Sequence, residues 1–499
     1  MNILKIILNL KNNYEKKFIF PLQNLTLSGY DIFKILCNIP IKLKKIKYLN
    51  EKTHISILYE NSVEYVILSF FVILNNHILV PINPQLSKNE IFEIYKKSNS
   101  KFLITSKNKK DKVKRIKNII YFDFSIDLLK EKNLNTKFFT KKKKNTGVIL
   151  LLYTSGSTGE PKGSLLNEKN IFSNANVIAN HHKINKKTNT LVLMPMFHNN
   201  GFIISFLSTV LKSGTVIIAP ANFIILKFWE IIQRYKITYT SLMPSVLSMI
   251  LEYTKKDIKN NSLRIIACGG QKLSHSTQVK FENKFNLKII EHYGLTETTS
   301  ISTVMPLKKR ILSSVGKVIK GTKIKIFDEN KKTLKSFGFG EVCISGQNVF
   351  KGYYNNKKLN KIKFFKGFLK TGDFARLNKK KYLYFKSRKD FMIIKGGENI
   401  YPAEVENVIN KHSKVIESAV VGHKDNFYGQ DIYAFIKLLK YKKIYKKEIE
   451  KNLIKKLAKF KIPKKIFFLG KNISMNEIPK TPTNKIHYRV LQKVLANEK

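Results

Sequence analysis

An uninterrupted apolar run, Val148-Ile149-Leu150-Leu151-Leu152-Tyr153, passes straight into Thr154-Ser155-Gly156-Ser157-Thr158-Gly159-Glu160-Pro161-Lys162-Gly163, and no other junction constrains the chain as much. A run apolar on both faces predicts a strand covered on both sides, as in a parallel sheet layered between helices. The loop that follows is small, hydroxyl-rich and carries one lysine. Its glycines let the backbone approach an anion closely, while Thr154, Ser155, Ser157 and Thr158 offer hydroxyl donors and Lys162 a positive charge. Such a loop suits a polyphosphate. It is not a Walker A motif, because Pro161 occupies the position of the second glycine. A flexible Ser/Gly linker fits less well, since linkers seldom follow an apolar strand directly.

Around this junction, helical and β-rich stretches alternate. Glu60 to Leu74 and Lys88 to Ser98 read as helices. Ile78 to Pro81, Lys101 to Thr105, Ile119 to Phe122, Thr190 to Met194, Thr215 to Ala219 and Leu263 to Cys268 read as strands. The alternation predicts α/β layers. From Lys323 the runs shorten, with turns at Asp328-Glu329-Asn330 and Gly338-Phe339-Gly340, which predicts a small β-rich subdomain. Beyond Arg388 the pattern returns to α/β: helix Pro402 to Lys411, strands Val415 to Gly422 and Ile432 to Leu438, and helix Lys447 to Phe460. The expected fold is therefore α/β. Residues 1–389 form a large N-terminal domain of layered subdomains, and residues 390–499 a small mobile α+β C-terminal domain. A chain of 499 residues exceeds what one core organises.

The formal net charge of +58 would ordinarily point to nucleic acid or an anionic surface. Only seven arginines are present, however, and the lysines are spread along nearly every segment, as a coding bias towards Lys, Asn and Ile would produce. No stripe of arginines and aromatics gathers on one element, so no specific nucleic-acid partner is expected. Cys37, Cys268 and Cys343 fit neither a disulfide framework nor a zinc site, and a cytoplasmic location is expected. The longest apolar stretch, Tyr65 to Leu74, is too short to span a bilayer, so no transmembrane segment is predicted.

The loop from Tyr153 to Gly163 resembles the signature of the AMP-forming adenylating superfamily, which includes acyl-CoA synthetases, luciferases and peptide-synthetase adenylation domains. Further blocks follow in the family's order. They are Pro195-Met196-Phe197-His198-Asn199-Asn200-Gly201, Cys268-Gly269-Gly270-Gln271-Lys272-Leu273 and Tyr293-Gly294-Leu295-Thr296-Glu297-Thr298. Later come Lys370-Thr371-Gly372-Asp373, Ser387-Arg388-Lys389-Asp390, Lys395-Gly396-Gly397-Glu398 and Pro479-Lys480-Thr481-Pro482-Thr483-Asn484-Lys485. Several ordered blocks are far more specific than one pattern.

The resemblance implies an ATP-dependent acyl-CoA ligase that forms an acyl-AMP, releases pyrophosphate and transfers the acyl group to coenzyme A. The chemistry calls for charge neutralisation and in-line positioning more than covalent help. By resemblance, Thr154, Ser155, Gly156, Ser157, Thr158, Gly159 and Lys162 hold the β- and γ-phosphates. Thr296 contacts the α-phosphate, and Glu297 holds Mg²⁺, a hard cation that prefers oxygen ligands. Asp373 and Arg388 bind the ribose, while Tyr293, Gly294, Gly270, Gln271 and Lys272 wall the adenine pocket. Lys485 bridges the substrate carboxylate and the α-phosphate, and His198 stands beside the acyl site. Rotation at Asp390 would present Lys395, Gly396 and Gly397 to the incoming thiol.

Amino-acid-activating relatives carry an aspartate where this chain has His198-Asn199-Asn200, so a fatty or other non-amino acid is expected. A separate carrier protein is the alternative acceptor. A non-catalytic binder of nucleic acid or an anionic surface is the remaining class.

Overall fold

In a computed structural model, the structure describes residues 3–15, 17–47, 49, 51–130, 147–155, 161–219, 226–254, 258, 261–271, 273–334, 338–388, 391–396, 398–439, 446–481 and 486–497. Four sheets organise them. The largest runs in the order Lys317–Val318, Thr303–Val304, Ile289–Tyr293, Ile265–Cys268, Tyr239–Leu242, Asn189–Val192, Thr215–Ile218, Lys17–Phe20 and Leu25–Ser28. From Ile289–Tyr293 to Lys17–Phe20 every neighbouring pair is parallel, and the antiparallel strands lie at the edges. A second sheet orders Ile119–Tyr121, Ser100–Thr105, His54–Leu58, Ile78–Pro81 and Val148–Ser155 in parallel and adds Pro161–Asn167 antiparallel at its edge. This is the covered α/β layering that the apolar runs predict.

Helices Gly29–Lys42, Val63–Leu74 and Glu168–His181 lie in the core that joins the two sheets. Val63–Leu74 is buried almost all round, which explains why its sequence is nearly continuously apolar instead of amphipathic. Ser28, Ser62, Ser87 and Asn167 cap helix starts by accepting backbone N–H groups of the first turn, so these boundaries are set by local chemistry. The expected β-rich subdomain is an antiparallel sheet of Thr322–Phe327, Gly340–Gly346, Phe364–Phe365, Phe368–Leu377 and Leu383–Arg388. Beyond it, Ile393–Lys395, Glu398–Ile400, Val415–Asp425, Gly429–Leu438 and Lys465–Phe468 form the last sheet, with its own apolar clusters drawn from residues 393–495.

Several boundaries differ from the sequence reading: the helix read from Glu60 starts at Val63, that read to Lys411 ends at Ile409, and the strand read over Thr190 to Met194 spans Asn189–Val192. The helix expected over Lys447 to Phe460 runs only over Lys446–Ile454, followed by a short 3₁₀ turn at Lys459–Lys461. Ile449 and Leu453 are its buried residues, and Leu457 beyond its end packs partly buried against the same cluster. Asn200–Leu207 forms a π-helix, a geometry that no periodicity announces. Among the described residues no helix is long and apolar enough to cross a membrane.

Candidate active site

The parallel strands of the large sheet end together, and several of the singled-out residues lie at or just beyond these ends. In open α/β sheets this carboxyl-end crevice is where ligands bind. Pro195 to Gly201 follows Asn189–Val192, Gly269 to Gln271 follows Ile265–Cys268, and Gly294 to Thr298 follows Ile289–Tyr293. Gly270 adopts φ +85, which suits glycine. At Gly294 a Cβ would lie 1.9 Å from the Ser300 carbonyl oxygen, so only glycine lets the two segments close.

Asp373 lies on strand Phe368–Leu377 and is 2 % exposed. Tyr293 donates its hydroxyl to Asp373 Oδ2 at 2.6 Å, and Arg388 Nε lies 3.1 Å from Oδ1. Register sets Asp373 opposite Arg388 on the neighbouring strand. Thr371 accepts the Asp373 N–H and donates to the Val342 carbonyl, and Gly372 turns at φ +74 between them. Burial, then the Asp373 charge, holds the Tyr293 hydroxyl well above its ordinary range, so it remains a donor. The structure thus joins three of the expected nucleotide residues.

Glu297 lies in the short turn Thr296–Thr298. Tyr353 donates to Glu297 Oε1 at 2.7 Å, and the Phe350 N–H donates to the Glu297 carbonyl at 2.9 Å. The same segment is stitched to the strand leaving the phosphate loop: Lys351 N–H to Leu165 O, Leu165 N–H to Gly352 O, and Tyr354 N–H to Gly163 O. Arg388 bears electrostatically on both Tyr293 and Tyr353, which sets the two groups in one neighbourhood. Just beyond, Thr299 takes φ +67 and ψ −56, a strained conformation for a β-branched residue. Its hydroxyl on the Asn348 carbonyl, and Asn174 bonding both backbone groups of Ile301, hold that turn.

Thr154 pairs with Lys162 across the hairpin formed by Val148–Ser155 and Pro161–Asn167. Gly156, Ser157, Thr158 and Gly159 at its tip lie outside the described residues, as do Lys272, Asp390, Gly397 and Lys485. Lys395 pairs with Asp431 at 2.5 Å and Gly396 N–H bonds to Tyr428 O, so these two join the C-terminal sheet and not the Asp373 cluster. His198 follows the Pro195 turn with its ring 4.8 Å from that of Phe197.

Among the described residues there is no group of three or more His, Cys, Asp or Glu that could hold a metal by itself. One oriented carboxylate beside the Thr296 hydroxyl suits a hard cation that takes its remaining ligands from phosphate oxygens and water. The sequence reading missed Tyr353; its only signal there is an aromatic after Gly352, and the hydrogen bond spans 56 residues.

Comparison with known proteins agrees with this arrangement. The family profile described as AMP-binding enzyme matches residues 43–354, and that of the AMP-binding enzyme C-terminal domain matches residues 404–485. An oxalate–CoA ligase of Saccharomyces cerevisiae is 34% identical over 384 residues, covering 76% of this chain and 69% of its own. A 2-succinylbenzoate–CoA ligase of Bacillus subtilis is 32% identical over 338 residues, 67% of each chain. The solved o-succinylbenzoate CoA synthetase of Bacillus subtilis, in complex with its acyl-adenylate intermediate, superposes with a TM-score of 0.85 at 28% identity, covering 98% of both chains. With these matches spanning both domains, the chain belongs to the AMP-binding enzyme family, as an AMP-forming acid–CoA ligase.

Proposed function

We propose that the protein activates a non-amino carboxylic acid with ATP, as an acyl-adenylate with release of pyrophosphate, and then passes the acyl group to coenzyme A. The observation that carries this reading is that Asp373 and Arg388, on neighbouring strands of the antiparallel sheet, meet Tyr293 at the carboxyl end of the large sheet, just before Glu297, whose segment is stitched to the Thr154–Lys162 hairpin.

In this reading Asp373 accepts the ribose hydroxyls, with Arg388 beside it and Tyr293, Gly294, Gly270, Gln271 and Lys272 walling the base. The hairpin from Thr154 to Lys162 cradles the β- and γ-phosphates, and Thr296 donates to the α-phosphate. Mg²⁺, held by Glu297, supplies neutralisation of the phosphate charge when bound. Lys485 lies between the two reacting anions and lowers their repulsion. We set the domain boundary at 389/390. The C-terminal domain turns there, withdrawing Lys485 and bringing Lys395, Gly396 and Gly397 to the thiol. The absence of an acid in Phe197-His198-Asn199-Asn200-Gly201 supports a non-amino substrate. The acids named for the two relatives, oxalate and 2-succinylbenzoate, are not fatty acids and favour the other branch of that class. The cytoplasm is the proposed location.

The test is acid-dependent exchange of labelled pyrophosphate into ATP, followed by thioester detection with coenzyme A and, separately, with a phosphopantetheinylated carrier protein. Exchange that is lost in Glu297→Gln and Lys485→Ala, with thioester formed on coenzyme A, is the expected result. Thioester formed only on the carrier would move the acceptor assignment. Unchanged exchange in both variants would overturn the roles.

A further inference from the structure

The carboxyl-end crevice contains a row of polar atoms that the adenylation chemistry does not use. Tyr239, Ala267 and Ile290 belong to the core between the large sheet and the helices facing it, whereas Leu242, Ile266, Cys268 and Ile289 face the opposite core. Side chains alternate along strands, so Ser241 and His292 share the face of Tyr239 and Ile290. Register aligns Ser241 with Ala267 and Ala267 with Ile290, which sets His292 one step further towards the crevice. Its ring lies over Gly269, where a Cβ would come within 2.4 Å of Nε2.

The π-helix Asn200–Leu207 covers this face. The chain reverses at Gly201, where a Cβ would lie 2.3 Å from the Met194 carbonyl oxygen, and runs back over the sheet until the Tyr239 hydroxyl reaches the Ile204 carbonyl at 3.4 Å. Asn199 and Asn200 form the turn that enters this helix beside Met194 and Pro195, past the carboxyl end of strand Asn189–Val192, whose neighbour in the sheet is the strand of Ser241. Both amide atoms of Asn199, Oδ1 of Asn200, Oγ of Ser241 and Nδ1 of His292 are each buried without a hydrogen-bond partner among the described residues. Ser241 is 0% and His292 7% exposed. Unpartnered buried polar atoms are costly, so natural sites with several of them call for a polar occupant.

The layer beneath is filled. Tyr239 is held by His182 Nδ1 at 3.1 Å, Thr190 bonds Thr209 at 2.7 Å, and Phe202 and Phe206 stack with centroids 6.0 Å apart. All six are buried, so this layer is packed with side chains.

We propose that these atoms line a chamber that reads the far end of the carboxylic acid, and that the acid is short and ends in a second acidic oxygen group instead of a hydrocarbon tail. Ser241 and Asn199 donate to that group, and His292 bounds it on the sheet side. An alkyl end would leave these donors unpaired, which is how the site discriminates.

This inference rests on the ligase reading, and one panel separates the two. Pyrophosphate exchange is measured with oxalate, malonate, succinate and glutarate against acetate, butyrate, octanoate and palmitate. The expected result is exchange with at least one short diacid at a KM about tenfold or more below that of the monoacid of equal length, as one hydrogen bond to a charged group implies. Ser241→Val and Asn199→Leu should raise the diacid KM by about tenfold or more each while the KM for ATP holds. Ser241→Ala serves if the valine variant does not fold. Best exchange with octanoate or palmitate, or an unchanged diacid KM in the variants, overturns the inference while leaving a ligase. Exchange with no acid overturns the ligase reading, and the inference with it.

Discussion

Replacing Tyr353 by Phe removes a single hydroxyl, the one that holds the carboxylate proposed to carry the metal. The bond is 2.7 Å from oxygen to oxygen and its acceptor is ionised, which places it among the charge-assisted hydrogen bonds. Tyr353 is 5% exposed, and burial followed by the Glu297 charge keeps its hydroxyl protonated well beyond neutral pH. Such a bond contributes about 1.5–3 kcal/mol. Because Glu297 itself is only half-buried, the lower end applies, or about tenfold in an equilibrium constant. Outer-shell partners of metal ligands typically change affinity by about 10–100-fold, which agrees.

The ring stays in Tyr353→Phe, so packing against Phe350, 4.9 Å away between centroids, is kept. We expect the half-saturating Mg²⁺ concentration in pyrophosphate exchange to rise about tenfold, with the rate recovering at saturating metal. Mn²⁺ binding to the enzyme with a non-hydrolysable ATP analogue, followed by electron paramagnetic resonance, should weaken in the same proportion. An unchanged metal dependence with a lower maximal rate would show that Tyr353 only packs. Tighter metal binding would show that charge withdrawal outweighs orientation, and would refute the reasoning equally.

Gly294→Ala should destabilise by roughly 3 kcal/mol or more in denaturant titration, because the new methyl would meet the Ser300 carbonyl oxygen at 1.9 Å and the strained turn at Thr299 leaves that backbone no slack. Arg310→Met should cost about 1.5–3 kcal/mol, since it removes a bidentate charge-assisted pair from Glu282, whose side chain is 14% exposed and keeps the Gln278 and Ile289 N–H donors. Burial pushes the Glu282 carboxyl up, but Arg310 and the Ile289 N–H outweigh it and hold it below its ordinary 4.5. Stability from this pair is therefore present above about pH 4.5 and lost as pH falls below it, a dependence that Arg310→Met should flatten. Burial pushes the His292 imidazole down to about 4 from 6.5, so the folded protein resists a proton that the unfolded chain accepts. Stability should then fall by roughly 1.4 kcal/mol per pH unit on acidification between those values, and His292→Gln should remove that slope in denaturant midpoints taken across the range.

Val148 to Tyr153 could be read as a covered strand because every residue of the run is apolar, and burial on both faces tolerates nothing else. The residues proposed to bind the nucleotide carry a local signal for a related reason: Asp373 needs the Thr371-Gly372 turn beside it, and Tyr293 and Gly294 need their own strand end. Strand ends drifted by a residue or two. Thr190 to Met194 reads as a strand from its apolar content, but the ladder closes at Val192 because its partner strand stops at Ile218.

Local chemistry in the chain determined the α/β layering and the helix starts at Ser28, Ser62 and Ser87, since each depends on residues within one turn or one strand of each other. Only the tertiary structure decided that Tyr353 reaches Glu297, that Ser241 Oγ and His292 Nδ1 are buried without a partner among the described residues, and that Asn200–Leu207 winds as a π-helix. Those outcomes depend on which strands become neighbours and how closely a glycine lets two backbones approach. Neither quantity is written in any single window of residues.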